Sequence, residues 1–333
     1  MSGPRILLVS LGTTAGLRAS DEELAAMLRS AGAEVELVRA KETRQVRTLA
    51  LTDLAQARAA AAATREALAA GPAPDAIVYS TVTAALLAPA PGAIRLDTTA
   101  AENRPGRHGL WQRPLEARRL AGAPLLIPTD EHSLDPYPEL RLRSLVVPIP
   151  VEPSGPPTPP GERDIAAITY AADPEKKGLE EVLAAWDEVR QPGEELVVCG
   201  IDPSRLGELP EGVSAPGMLG RDEYRALLRR ARLFVTAPRQ EDHGIAQLEA
   251  LADGCLLVTT EAPGPYPALE IARRLDPRLV GPNLAASIRS ALDDPPAGYS
   301  ERAAQELALH SPEAVQEVVS GELLARLTDT GLT

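Results

Sequence analysis

Two loops in the second half of the chain carry the residue types best suited to chemistry. Lys176 and Lys177, in Tyr170-Ala-Ala-Asp-Pro-Glu-Lys-Lys-Gly178, are two of only three lysines among 34 basic residues. They directly precede a helix expected over 179–189. An anion there meets the positive end of a helix and an ammonium together, the ordinary physics of a phosphate site. The alternative for such a pair is a solvated loop. The second loop, Pro238-Arg-Gln-Glu-Asp-His-Gly244, opens a helix expected over 244–252. Glu241 and Glu249 are separated by seven residues. Glu241 precedes the helix and Glu249 lies more than one turn inside it, so the two carboxylates address different ends of a ligand lying across the helix start. Carboxylates take paired hydrogen bonds from vicinal hydroxyls, and beside the amides of Gly244 and Ile245 they suit a sugar joined to a phosphate. The competing reading has Glu241 and Asp242 only balancing the helix dipole, worth ~0.3–1 kcal/mol each. That leaves Glu249, which adjoins the apolar stripe Ile245, Leu248 and Ala252, without an explanation.

Loops of this kind need a scaffold, and the chain supplies two. Its 333 residues fit about two domains. In the first part, strand-like runs at Arg5–Ser10, Glu34–Arg39, 75–79, Ala93–Leu96, near Leu125 and near Val146 alternate with helical stretches from about Asp21, from about Thr52 to Ala70, and near 110–120. Ser20 with Glu23 reads as a capping box for the first of these helices. Between Pro148 and Gly161 lie seven prolines and two glycines, which suit neither regular element. Alternation then resumes with strands at 164–169, 194–199, 233–236 and 256–259, helices between them, and three terminal helical stretches (283–293, 299–309, 312–327). Short apolar strands separated by helices mean parallel sheets covered on both faces. The expected fold class is therefore α/β: two facing Rossmann-like, doubly wound domains, 1–150 and 162–333, joined by a proline-rich linker at 151–161, with ligands held in the cleft between them.

Composition removes several function classes. The net charge is −13 and aromatic residues reach only 3%, which argues against a surface that neutralises phosphates or stacks bases, so no nucleic-acid partner is expected. The charge is uneven: residues 1–150 carry 17 basic against 16 acidic side chains, and the remainder 17 against 31. Cys199 and Cys255 read as buried thiols in a reducing cytoplasm, and His108, His132, His243 and His310 lack ligand spacing, so no metal is implied. The longest uncharged stretch, 76–94, contains Pro89, Pro91 and Gly92 and does not fit one membrane helix. At most peripheral membrane contact is expected.

Taken in order, Lys177-Gly178, the Glu241-to-Glu249 spacing, and Glu249-Ala-Leu-Ala-Asp-Gly254 before Cys255-Leu-Leu-Val258 resemble the nucleotide-sugar domain of GT-B glycosyltransferases, particularly the retaining family 4. The likeness covers roughly residues 160–330 by motif and 1–150 by topology. It implies a hexosyltransferase that moves a sugar from a nucleoside diphosphate donor with retention of anomeric configuration, with no metal or other cofactor. Lys177 and Gly178 would hold the donor diphosphate, Glu241 the hydroxyls of the transferred sugar, Gly244 and Ile245 would offer backbone amides, and Glu249 would bind the ribose. The family tends to carry an arginine six residues before the lysine, where this chain has Ala171. Arg239, at a position often serine in the family, is the candidate to compensate. His243 stands where an aromatic residue is usual. The resemblance also implies that the last helix returns to the first domain.

The first half would then bind a small-molecule, glycan or lipid-linked acceptor. Gly12 and Thr13 lie in a turn after the first strand that resembles the family's glycine-bearing turn, which implies a place near the donor phosphates. Asp97, at the end of strand Ala93–Leu96, is the candidate contact to the reacting sugar; the alternative is a turn former. Arg104, Arg107, Arg113, Arg118 and Arg119 either attract an anionic acceptor or lipid surface, or form a solvated helix face. Two other readings of the chain stay open: a noncatalytic sugar-nucleotide or glycan-binding protein, and a sugar-nucleotide epimerase or glycosyl phosphorylase on the same scaffold.

Overall fold

The computed structural model describes residues 3–43, 46, 48–104, 106–262 and 266–329. The chain forms two compact units, residues 1–149 with 312–333, and residues 150–311. The first unit holds strands β1 (Arg5–Ser10), β2 (Glu34–Arg39), β3 (Ala76–Tyr79), β4 (Ala93–Leu96) and β5 (Leu126–Pro128). They make one parallel sheet in the order β2-β1-β3-β4-β5. Every strand except β2 and the first residue of β1 is buried throughout, as a sheet covered by helices on both faces requires. Leu7, Val9, Ile77 and Ile94 pack on one side, and Ile6, Leu8, Val78 and Ala93 on the other.

The second unit repeats the plan with β6 (Ile165–Tyr170), β7 (Leu196–Cys199), β8 (Val213–Gly217), β9 (Ala231–Thr236) and β10 (Leu256–Thr259). Its parallel sheet runs β10-β9-β6-β7-β8. The chain steps outward from β6 through β7 to β8, then crosses back to place β9 on the other side of β6. The boundary between β6 and β9 is thus the switch point, on either side of which the chain winds across the sheet in opposite directions, the usual place for a ligand crevice in such sheets.

Several boundaries differ from the sequence expectation. The helix expected from about Asp21 starts at Ala15, because Thr14 caps it by accepting the Leu17 amide at 3.1 Å. The strand near Val146 is instead an extended segment that hydrogen-bonds β5 through the Leu145 and Val147 amides. The proline-rich stretch is anchored to the second unit over its first half: the Glu152 carbonyl accepts from Arg225 at 2.8 Å, and the Ser154 amide donates to Asp253 at 2.8 Å. The second unit also ends earlier than the expected 162–333, at Ser311. The helical segment Pro312–Asp329 belongs to the first unit, because Val315, Val319, Leu323 and Leu327 bury against Leu24 and Leu28. Gln316 reinforces this by donating to the Met27 carbonyl at 3.2 Å.

Candidate functional site

The loops leaving β6 and β9 meet at the switch point of the second sheet. A glycine stands at each helix start, and Gly178 makes the approach of the two loops possible. Gly178 caps helix Leu179–Val189 with φ +65°, and a Cβ there would stand 1.8 Å from the carbonyl oxygen of Ala237, just past β9. Gly244 caps helix Ile245–Ala252 with φ +79°, and a Cβ there would stand 2.8 Å from the Tyr266 ring. Any side chain at either position needs both an unfavourable backbone and space already filled. The loops are then stitched together by the Arg239 amide, which donates to the Lys176 carbonyl at 2.9 Å.

Side chains complete the junction as two adjacent ion pairs. Lys176 Nζ lies 2.7 Å from Asp242 Oδ2, and Lys177 Nζ lies 2.5 Å from Glu241 Oε2. The Lys176 pair is partly exposed, whereas the Glu241 carboxylate is only 6% exposed. Gln247, in the first turn of helix Ile245–Ala252, donates its Nε2 to the same Glu241 oxygen at 2.9 Å. An ammonium, a buried carboxylate and the free amides of a helix start therefore share one small region, a combination that accepts an anion on one side and hydroxyl donors on the other.

Glu249 faces a different set of partners. Arg221 Nη2 is 3.1 Å and Arg225 Nη1 3.3 Å from its Oε1, and Arg225 Nε is 2.6 Å from Asp253 Oδ2. Burial opposes the Arg225 charge, but the Asp253 hydrogen bond and the Asp253 and Glu249 charges more than offset it, so its pKa is raised. Tyr224 stands beside this cluster, its ring 5.2 Å from that of Tyr170, and its pKa is pushed well up by burial and then by the Glu249 charge.

The family described as glycosyl transferases group 1 matches residues 163–294, a span that begins just before β6 and ends after helix Leu284–Asp293. Residues 163–294 are thus similar to a glycosyl transferases group 1 domain. Glycogen synthase of Mycobacterium tuberculosis is 34% identical to the chain over 135 residues, 37% of this chain and 32% of that protein. The chain thus spans about a third of the length of the curated relatives it matches. Among solved structures, sucrose-phosphate synthase from Thermosynechococcus elongatus is similar with a TM-score of 0.74 at 16% identity, covering 98% of this chain and 99% of that one. HepE of Anabaena, in complex with UDP, gives 0.69 at 15% identity over 97% and 100%. WaaG, a glycosyltransferase involved in lipopolysaccharide biosynthesis, gives 0.66 at 17% identity over 95% and 100%. The fold is GT-B.

Of the residues singled out by sequence, the matched segment 163–294 contains Lys177, Gly178, Arg239, Glu241, Gly244, Ile245 and Glu249. It joins Lys177 directly to Glu241 and puts Gly178 and Gly244 at the two helix starts. Arg239 is exposed and pairs with Glu175 at 3.4 Å instead of with the Lys177–Glu241 group. Ala171 and His243 are buried. Gly12, Thr13 and Asp97 lie in the other unit, at the carboxyl ends of β1 and β4. Gly12 has φ +58° and its carbonyl accepts from Arg18 at 2.7 Å, while Thr13 and Asp97 are exposed. Much of the arginine cluster is committed internally: Arg104 pairs with Asp53 at 2.9 Å, and Arg119 donates to the Leu86 carbonyl at 2.9 Å.

Gln247, Arg221, Arg225 and Asp253 were not legible as site residues. The signal for the arginines is their four-residue spacing, which puts both on one face of helix Arg221–Arg230. Among the described residues no group of three His, Cys, Asp or Glu side chains could hold a metal ion, and no helix is long and apolar enough to cross a membrane.

Proposed function

We propose that the chain is a hexosyltransferase that moves a sugar from a nucleoside diphosphate donor to an acceptor hydroxyl with retention of configuration, in the cytoplasm and without a metal. The observation that carries this reading is the meeting of Lys177 and Glu241 at the β6–β9 switch point, beside the amino end of helix Ile245–Ala252. The group 1 domain and a GT-B neighbour in complex with UDP support it. Lys177 and Gly178 meet the diphosphate, Glu241 the hydroxyls of the transferred sugar, the Gly244 and Ile245 amides the charge nearest the helix start, and Glu249 the ribose. The bond from the anomeric carbon to the diphosphate breaks, a bond from that carbon to the acceptor oxygen forms on the same face, and the acceptor proton passes to the leaving phosphate oxygen. Fixed cations and helix-end amides stabilise the leaving charge. In the first unit, Gly12 and Thr13 serve the donor phosphates and Asp97 the reacting sugar, and the acceptor is a small molecule, a glycan or a lipid-linked hydroxyl.

The test is release of free nucleoside diphosphate from UDP-, GDP- or ADP-sugars across an acceptor panel, with and without a chelator. Acceptor-dependent release that survives the chelator supports the transferase. Binding of a nucleotide sugar with no turnover on any acceptor supports a noncatalytic binder, a reading favoured by one observation: buried Ala171 supplies no charge where the family tends to place an arginine.

A further inference from the structure

We infer that Gln247 is a positioning residue, which keeps the Glu241 carboxylate in place while Lys177 is handed from that carboxylate to the donor diphosphate. The inference rests on the donor site proposed above. Lys177 and Gln247 donate to the same Glu241 oxygen, so the two groups assigned to phosphate and sugar occupy each other before any ligand arrives. A diphosphate must therefore compete for the ammonium. It is equipped to do so, because its oxygens accept strong charge-assisted bonds and a lysine is a point charge on a flexible stem with three donors.

Once Lys177 turns to phosphate, a carboxylate this deeply buried would lack a donor, which is costly. Gln247 fills that gap. It is 1% exposed, sits in the first turn of helix Ile245–Ala252, and faces the Tyr266 hydroxyl, which is itself 3.4 Å from Thr259 Oγ1. A short side chain buried at a helix start, bonded to Glu241 through its Nε2, has little reach with which to follow the phosphate. Being neutral, it also leaves the Glu241 charge intact for the sugar hydroxyls.

The full chain is titrated calorimetrically with UDP, GDP and ADP, and the tightest is carried through wild type, Glu241→Gln, Gln247→Ala and the double variant, with melting temperatures recorded for each. Removing the carboxylate charge frees Lys177, so Glu241→Gln binds the diphosphate about tenfold more tightly than wild type. Gln247→Ala leaves Lys177 as the main donor to Glu241 and weakens binding about threefold to tenfold. In the double variant that loss disappears, since no carboxylate charge remains to be held. Gln247→Leu, which keeps the volume and lacks the donor, repeats the pattern. An equal Gln247 effect in both backgrounds, or no gain in Glu241→Gln, overturns the inference. If instead Lys177→Ala binds the diphosphate as well as wild type does, the donor site itself is wrong.

Discussion

Lys177 Nζ and Glu241 Oε2 stand 2.5 Å apart although they lie 64 positions apart in the chain, and each follows the carboxyl end of a different, adjacent strand. The lysine is thus the counter-ion of a buried carboxylate as well as a phosphate candidate. Sequence alone suggests that Lys177→Ala barely changes folding. The pair changes that expectation, since truncating the lysine leaves Glu241 with Gln247 and no neutralising charge. Lys177→Ala should lower stability by about 1–3 kcal/mol, read by chemical denaturation. Adding Glu241→Gln should restore part of it, whereas identical loss in both backgrounds would mean that the pair contributes nothing to the fold.

Glu249 stands between Arg221 and Arg225, while Arg225 keeps Asp253 at 2.6 Å and the Glu152 carbonyl at 2.8 Å. Glu249→Ala should therefore cost only about 1–2 kcal/mol of stability. If Glu249 also binds ribose, the same variant weakens the free nucleoside diphosphate and the nucleotide sugar alike, by about 1–3 kcal/mol. Destabilisation with both affinities unchanged would assign Glu249 to the ion-pair cluster alone.

Both oxygens of Glu116 accept the Ala100 amide, at 2.8 and 2.9 Å, and burial pushes its pKa to about 7. A carboxyl raised on folding stabilises the fold most while protonated. Stability should be fullest below the ordinary glutamate range and fall as pH rises towards 7, by on the order of 2–3 kcal/mol. Denaturation curves between about pH 5 and 8 should show that slope in wild type and a flatter one in Glu116→Gln. Equal slopes would place the pH response elsewhere.

The doubly wound halves were legible because buried parallel strands leave short apolar runs, as at Arg5–Ser10 and Leu256–Thr259. β8 was not, since Val213–Ala215 are half-exposed and Pro216 interrupts the run. The capping signature at Ser20 misled because its hydroxyl accepts from Arg95 of β4 at 2.8 Å, a tertiary contact invisible to local pattern. The candidate site divides in the same way. Lys177, Glu241 and Glu249 stand out by residue type and spacing. Their partners depend on which strands become neighbours, so the Lys177–Glu241 pair, Gln247's place beside it, and the arginines around Glu249 required the fold. The return of Pro312–Asp329 to the first unit is implied in the sequence by resemblance alone, because its buried valines and leucines name no partner by themselves.

The most direct test of the donor site is calorimetric titration of wild type and Lys177→Ala with UDP, GDP and ADP under conditions where both are folded. Binding of at least one diphosphate to wild type, weakened by about 1.5–3 kcal/mol in Lys177→Ala, is the result expected if the loops after β6 and β9 hold a nucleoside diphosphate. Equal affinity in the two proteins would contradict it.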